Sequence, residues 1–206
     1  MQDNFILYGN VNSGHAYKVR LMLAVGGVEH DYQHIDIDQP RSARPEPFRS
    51  LAKFGQVPLL LHNGRPYVQS DAILCHLAEH TGRFGAETPE RMACVREWLF
   101  WEANRLGMCL PQLRWARRFE PDAYNAGAVA WLQGRFDVDI AILDAELADG
   151  RAFIVDDSPT VADFSLCGYL FWADAAEVKL PQNVAAWLER ISRLPAWRAP
   201  DVLLAA

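Results

Sequence analysis

The pattern of apolar and polar positions divides the chain into two halves. FILYG at 5–9 is a short apolar run. Over residues 13–25 the apolar positions then recur at helical spacing, and Gly26-Gly27 supplies a helix stop. EHDYQHIDI and VPLLLH are again short β-type runs, and NGRP at 63–66 reads as a tight turn between a third and a fourth strand. SDAILCHLAEH opens a further helix. The predicted order is a βαβ unit followed by ββα. Near residue 88 the pattern changes. Thr88-Pro89 puts a proline at a first helical position, and long amphipathic stretches follow, from ERMACVREWLFWEANRLGMCLPQLRWARRF to FSLCGYLFWADAAEV and VAAWLERISRL. The second half is predicted to be all helix, with no internal repeat.

Composition narrows the class. The 206 residues are 50% hydrophobic and 22% charged, enough for two small domains that each bury a core. No apolar run approaches about 18 residues and no basic, apolar leader opens the chain, so we expect a soluble cytoplasmic protein with no membrane partner. A net charge of −6 without a Lys/Arg-rich stretch argues against nucleic acid as a partner. Cys75, Cys94, Cys109 and Cys167 lie far apart with no metal-ligand spacing, and read as reduced thiols in or near the core.

Three short segments carry candidate chemistry. Ser13 stands at the expected N-cap of the first helix, where capping alone explains a serine. In GQVPLL, Pro58 enters a strand, which marks an edge, a bulge or a cis bond; a cis Val57-Pro58 bond leaves the Val57 amide and carbonyl free to pair with a peptide-like ligand. In QSDAI, Ser70 and Asp71 open a helix directly after a strand, and such a helix start is a carboxylate site.

SGHAYKVR at 13–20, GQVPLL at 55–60, QSDAILCHLAE at 69–79 and SPTVADFSL at 158–166 together resemble the cytosolic glutathione transferase family, in a bacterial-type form with a serine-class-like N-terminal motif. SPTVADFSL looks like that family's capping box, with Thr160 as N-cap and Asp163 three residues on. The resemblance implies an α/β thioredoxin-like domain over residues 1–80 and an all-α domain over 88–206. It implies a transferase that binds glutathione as co-substrate, and a homodimer. By the same resemblance Val57, beside Gln56 and Pro58, pairs with the cysteinyl backbone of glutathione. Gln69 and Ser70 hold its γ-glutamyl end, and Asp71 reaches the γ-glutamyl amine of the neighbouring subunit. The glycyl carboxylate needs a cation, for which Arg41, Arg44 and Arg49 all qualify.

A serine in this setting has a mechanism. The nucleophile is the thiolate, and Ser13 can donate a hydrogen bond to it, worth roughly 1.5–3 kcal/mol or about one to two pKa units. The positive end of the helix adds up to about 1 kcal/mol. Tyr8, at the end of the first strand, and His15 are the alternatives for this role. Leu106, Met108, Leu110, Gln112, Leu113 and Arg117 are expected to face the cleft between domains as an acceptor site for a hydrophobic electrophile. Peroxidase, dehalogenase or ether-cleaving chemistry on the same thiolate, or a noncatalytic ligand-binding or interaction role, are the alternative functions. Trp98, Trp101, Trp115, Phe100 and Met108 form an aromatic, apolar set on the first long helix, most of it expected in the core. His76 and His80 are four apart, a legal metal spacing, but no third ligand is evident, so they read as a solvated helix face and no metal is expected.

Overall fold

The computed structural model describes residues 3–205. Strands β1 (Phe5–Gly9), β2 (Asp31–His34), β3 (Leu59–His62) and β4 (Arg65–Val68) form one four-stranded sheet in the order β2-β1-β3-β4. β1 and β2 are parallel, as a βαβ crossover requires, whereas β1–β3 and β3–β4 are antiparallel. The β3–β4 turn is Asn63-Gly64, both at positive φ, the geometry an Asn-Gly hairpin favours. Period-two alternation divides the strands between two cores. Phe5, Leu7 and Leu60 face α1 (Gly14–Gly26) and α3 (Ser70–Thr81), while Tyr8, Leu59 and Leu61 face Phe48 of α2 (Phe48–Leu51) and Ile35.

Helix α1 begins as expected. Ser13 is its N-cap, with Oγ accepting from the Ala16 amide at 3.1 Å, and Gly27 closes it at φ +67°. The helical half comprises α4 (Pro89–Asn104), α5 (Leu106–Arg118), α6 (Ala126–Glu146), α7 (Val161–Leu170), α8 (Gln182–Ser192) and α9 (Pro200–Leu204). Thr88 caps α4 with Pro89 in its first turn. The capping box forms: Asp163, fully buried, accepts from the Thr160 and Ile154 amides and from Trp187 Nε1 at 2.8–2.9 Å. Among the described residues no helix is long and apolar enough to cross a membrane.

Several expectations need correction. The stretch read as the first long helix is two helices, broken at Arg105 (φ −122°, ψ −99°). Phe100, expected among the core aromatics, is 77% exposed, and Cys94 is exposed as well, because both project from the outer face of α4. His76 and His80 are not a bare solvated face. His62 and Asp3 pack against them, with His62 Nε2 at 3.1 Å and His80 Nε2 at 3.0 Å from the Asp3 carboxylate.

α7 is the central helix, and its closest neighbour is α1. The two meet nearly backbone to backbone: a Cβ on Gly168 would lie 2.9 Å from the Gly14 carbonyl, and one on Gly14 would enter the Tyr169 ring at 2.5 Å. Both glycines are therefore required by the close approach, which sets Tyr169 of the helical half over the first turn of α1.

Candidate functional site

A cleft of about 680 Å³ opens between the sheet half and the helical half, with the first turn of α1 at its base. Ser13 lines it and is only 6% exposed. Its oxygen accepts the Ala16 amide, and its own proton can still be donated. His15, two residues on in the same turn, also lines the cleft, its ring edge-on to Tyr169 at 5.1 Å. Its buried Nδ1 has no hydrogen-bond partner in the protein. Burial first, with the Lys18 cation adding and Asp71 opposing, pushes the His15 pKa down to about 3, so the imidazole is neutral at physiological pH. The Tyr169 hydroxyl is raised by burial, and the Gly14 amide and Ser13 hydroxyl, which pull it back down, lie within its reach. A helix N-terminus flanked by two hydroxyls and an unpartnered imidazole nitrogen suits an anion.

The sheet side supplies the other wall. The Val57-Pro58 bond is cis, one of the three arrangements its position allowed, and Gln56, Val57 and Pro58 all line the cleft. β3 begins only at Leu59, so the Val57 amide and carbonyl lie ahead of the ladder. Gln69, Ser70 and Asp71 continue the wall at the start of α3. Gln69 holds φ +69°, a region costly for a non-glycine residue, which directs the Ser70 end of the helix into the cleft. Of the three arginines, only Arg44 borders the cleft, tied down by the Ile37, Gln39 and Gly55 carbonyls. Arg41 donates instead to the Ala52 carbonyl, and Arg49 pairs with Glu46.

Beneath the Ser70 end lies a buried ionic cluster that sequence reasoning missed. Lys18 of α1, 1% exposed, reaches Asp71 at 2.7 Å, Glu102 of α4 at 3.4 Å and Ser165 of α7 at 3.2 Å, and Ser165 donates to Asp71 at 2.7 Å. Burial works against the Lys18 ammonium, but Glu102 and Asp71 outweigh it and raise its pKa. Burial, with Asp71 adding and Lys18 opposing, pushes Glu102 up to about 7. Asp71, expected to reach a neighbouring subunit, is paired within its own chain. The missed signal was Lys18 at a core-facing position of the largely apolar stretch AYKVRLMLAV, which calls for acidic partners.

The helical half contributes Met108, Pro111, Gln112, Trp115 and Tyr124 to the far side. Leu106, Leu110 and Leu113 are instead core residues, at most 3% exposed, because the inner stripe of α5 packs on α6 and α7. Arg117 turns away to the Ala176 carbonyl and Gln133. Tyr8 is 2% exposed, its ring 5.9 Å from that of Phe48 on the opposite face of the sheet, outside the cleft. Arg114, also unforeseen, lies against the Trp172 ring at 4.4 Å and donates to the Asn12 carbonyl, bracing the loop before Ser13.

Comparison with known proteins gives a consistent picture. The family model of the glutathione S-transferase N-terminal domain matches residues 3–79, and that of the glutathione S-transferase C-terminal domain matches residues 121–199. The chain is 29% identical over 198 residues to the glutathione S-transferase-like protein LUC7 of a Fusarium species, covering 89% of this chain and 86% of that protein. It is also 29% identical over 103 residues to the disulfide-bond oxidoreductase YfcG of Escherichia coli K12, covering 47% of each. Among solved structures, a glutathione S-transferase from Xanthobacter autotrophicus Py2 superposes with a TM-score of 0.84 at 26% identity, covering 96% of this chain and 98% of that one.

Proposed function

This chain belongs to the glutathione S-transferase family, and from that premise we propose that it binds glutathione in the cleft and presents its thiol, ionised, to a hydrophobic electrophile. The observation that carries the proposal is the Ser13 hydroxyl at the N-terminus of α1, its oxygen accepting the Ala16 amide and its proton, within reach of the Tyr169 hydroxyl, able to turn to a ligand sulfur. Ser70 and the first amides of α3 receive the γ-glutamyl carboxylate, with Gln69 beside them. Val57 pairs through its backbone with the cysteinyl residue, next to Gln56. Arg44 answers the glycyl carboxylate, being the one of the three arginines on the cleft wall. Asp71 lends its charge beneath Ser70 while remaining paired to Lys18.

The thiol loses its proton to solvent on binding, and the thiolate is held by the Ser13 donor and the α1 dipole. His15, neutral and with an unpartnered nitrogen, is the alternative donor; Tyr8, buried against Phe48 and not lining the cleft, is the weaker one. Met108, Pro111 and Trp115 give the electrophile an apolar wall, with Gln112 at its edge. The thiolate forms a bond to the electrophilic carbon as a leaving group departs or a π bond opens.

A second reading rests on the resemblance, over 103 residues, to a disulfide-bond oxidoreductase. Among the described residues no cysteine lines the cleft, so in that reading the sulfur chemistry belongs to bound glutathione. We also read the protein as a cytoplasmic homodimer, the exposed Phe100 on α4 offering an apolar patch for a second copy. Light scattering should then return about twice 23.2 kDa.

Ultraviolet titration of bound glutathione tests the central step. In Ser13→Ala the thiol pKa should rise by about one to two units and turnover at neutral pH should fall, the loss shrinking at high pH. An unmoved titration, with only the about 1 kcal/mol stability loss of a missing cap, would leave Ser13 a structural residue and pass the role to His15.

A further inference from the structure

At the end of α3 remote from the cleft lies a second cluster of ligating groups, none of which borders the cleft. We propose that Asp3, His62 and His80 bind a divalent transition-metal ion of the Zn²⁺ class, with His76 positioning the His62 ring.

The geometry comes from three separate segments. His62 ends β3, His76 and His80 lie one turn apart on α3, and Asp3 precedes β1. The ligand atoms of Asp3, His62 and His80 lie within 4.8 Å of one another. His62 Nε2 is 3.1 Å from Asp3 Oδ1, and His80 Nε2 is 3.0 Å from Asp3 Oδ2. In a tetrahedral site with bonds of about 2.0–2.1 Å, neighbouring donor atoms stand roughly 3.3 Å apart, so small side-chain shifts admit an ion between them. Two imidazoles and one carboxylate are a donor set for Zn²⁺, and for Cu²⁺ or Ni²⁺ by the same softness. Asp3 and His80 are exposed, which leaves the fourth position to water.

The surrounding residues support ligation. His62 Nδ1 is 2.9 Å from His76 Nε2. An ion bound at Nε2 would displace the hydrogen bond to Asp3 and put the His62 proton on Nδ1, where His76 Nε2 stands ready to accept it. The rings are held from behind: Phe5 stacks on His62 at 4.2 Å and Tyr67 on His76 at 3.8 Å. Asn63 donates to the same Asp3 oxygen as His62 at 3.0 Å, fixing the carboxylate. A bound ion ties the segment before β1 to the end of β3 and the last turn of α3.

Equilibrium dialysis against Zn²⁺ tests this, using tag-free protein carrying Cys94→Ser so that the exposed thiol does not compete. We expect one Zn²⁺ per chain and a rise in melting temperature on adding the ion. His80→Ala should lose at least tenfold in affinity while melting with the parent in metal-free buffer, and Asp3→Asn, which needs no repacking, should do the same. His76→Phe keeps the stack on Tyr67 and removes the acceptor; it should weaken binding about 10- to 100-fold. Co²⁺ substitution should give a visible spectrum without a thiolate charge-transfer band. Failure to retain zinc at micromolar free ion, or affinity unchanged in both His80→Ala and Asp3→Asn, overturns the proposal.

Discussion

The two ends of α3 carry polar clusters of similar make-up and opposite physical character. At the Ser70 end, Lys18, Asp71 and Glu102 are packed between both halves of the molecule, where each charge survives only because another neutralises it. At the Thr81 end, Asp3, His62 and His80 stand in or near water, where the same kind of contact contributes little to stability and the groups remain available to an incoming ion. The difference teaches that burial, more than residue identity, decides whether a charged cluster is scaffold or receptor.

Removing one member of each cluster should separate them most. Lys18→Met leaves two carboxylates buried without a cation and should cost about 3–5 kcal/mol in denaturant unfolding. Adding Glu102→Gln and Asp71→Asn should return part of that loss; an unchanged midpoint in Lys18→Met would break the comparison.

The pH dependence should differ next. Glu102 titrates near its usual 4.5 when unfolded and at about 7 when folded, so between those values the folded state holds the extra proton and stability falls as pH rises. The slope should approach roughly 1.4 kcal/mol per pH unit in that window and flatten in Glu102→Gln. Asp3 has the opposite sign. The His62 side chain first, then Asn63, with His80 adding and desolvation opposing, lowers its pKa to about 2. Its contribution is therefore present above its unfolded value and lost only as pH falls toward 2.

The backbone at the two ends also differs. Gly82 closes α3 at φ +63° with open space around its missing Cβ, so Gly82→Ala should cost about 1 kcal/mol through backbone strain alone. Gln69 opens it at positive φ without being glycine. Gln69→Gly should leave the melting temperature level or slightly raised, while calorimetry shows weaker glutathione binding. The smallest effect belongs to the exposed cluster: His80→Ala in metal-free buffer should stay within about 0.5 kcal/mol of the wild type.

What was legible in the sequence is what a few consecutive residues decide. The Ser13 cap, the Gly27 stop, the Asn63-Gly64 turn, Pro89 in the first turn of α4 and the Thr160–Asp163 capping box all depend on groups within about four residues, so pattern alone located them. The cleft was half legible, because QVP and QSD are continuous segments whose backbone forms one wall. Tertiary packing decided the rest. The sheet's pleat buries Tyr8 against Phe48, away from the cleft lining. Loop closure brings Arg44 rather than Arg41 or Arg49 to its edge. The glycine contact between α1 and α7 sets Tyr169 beside Ser13. Lys18 meets Glu102 and Ser165 across 84 and 147 residues of chain, and Asp3 meets His80 across 77. No local pattern encodes such pairings, because the free energy that makes them comes from burying apolar faces elsewhere in the molecule, and the charged groups meet where that burial puts them.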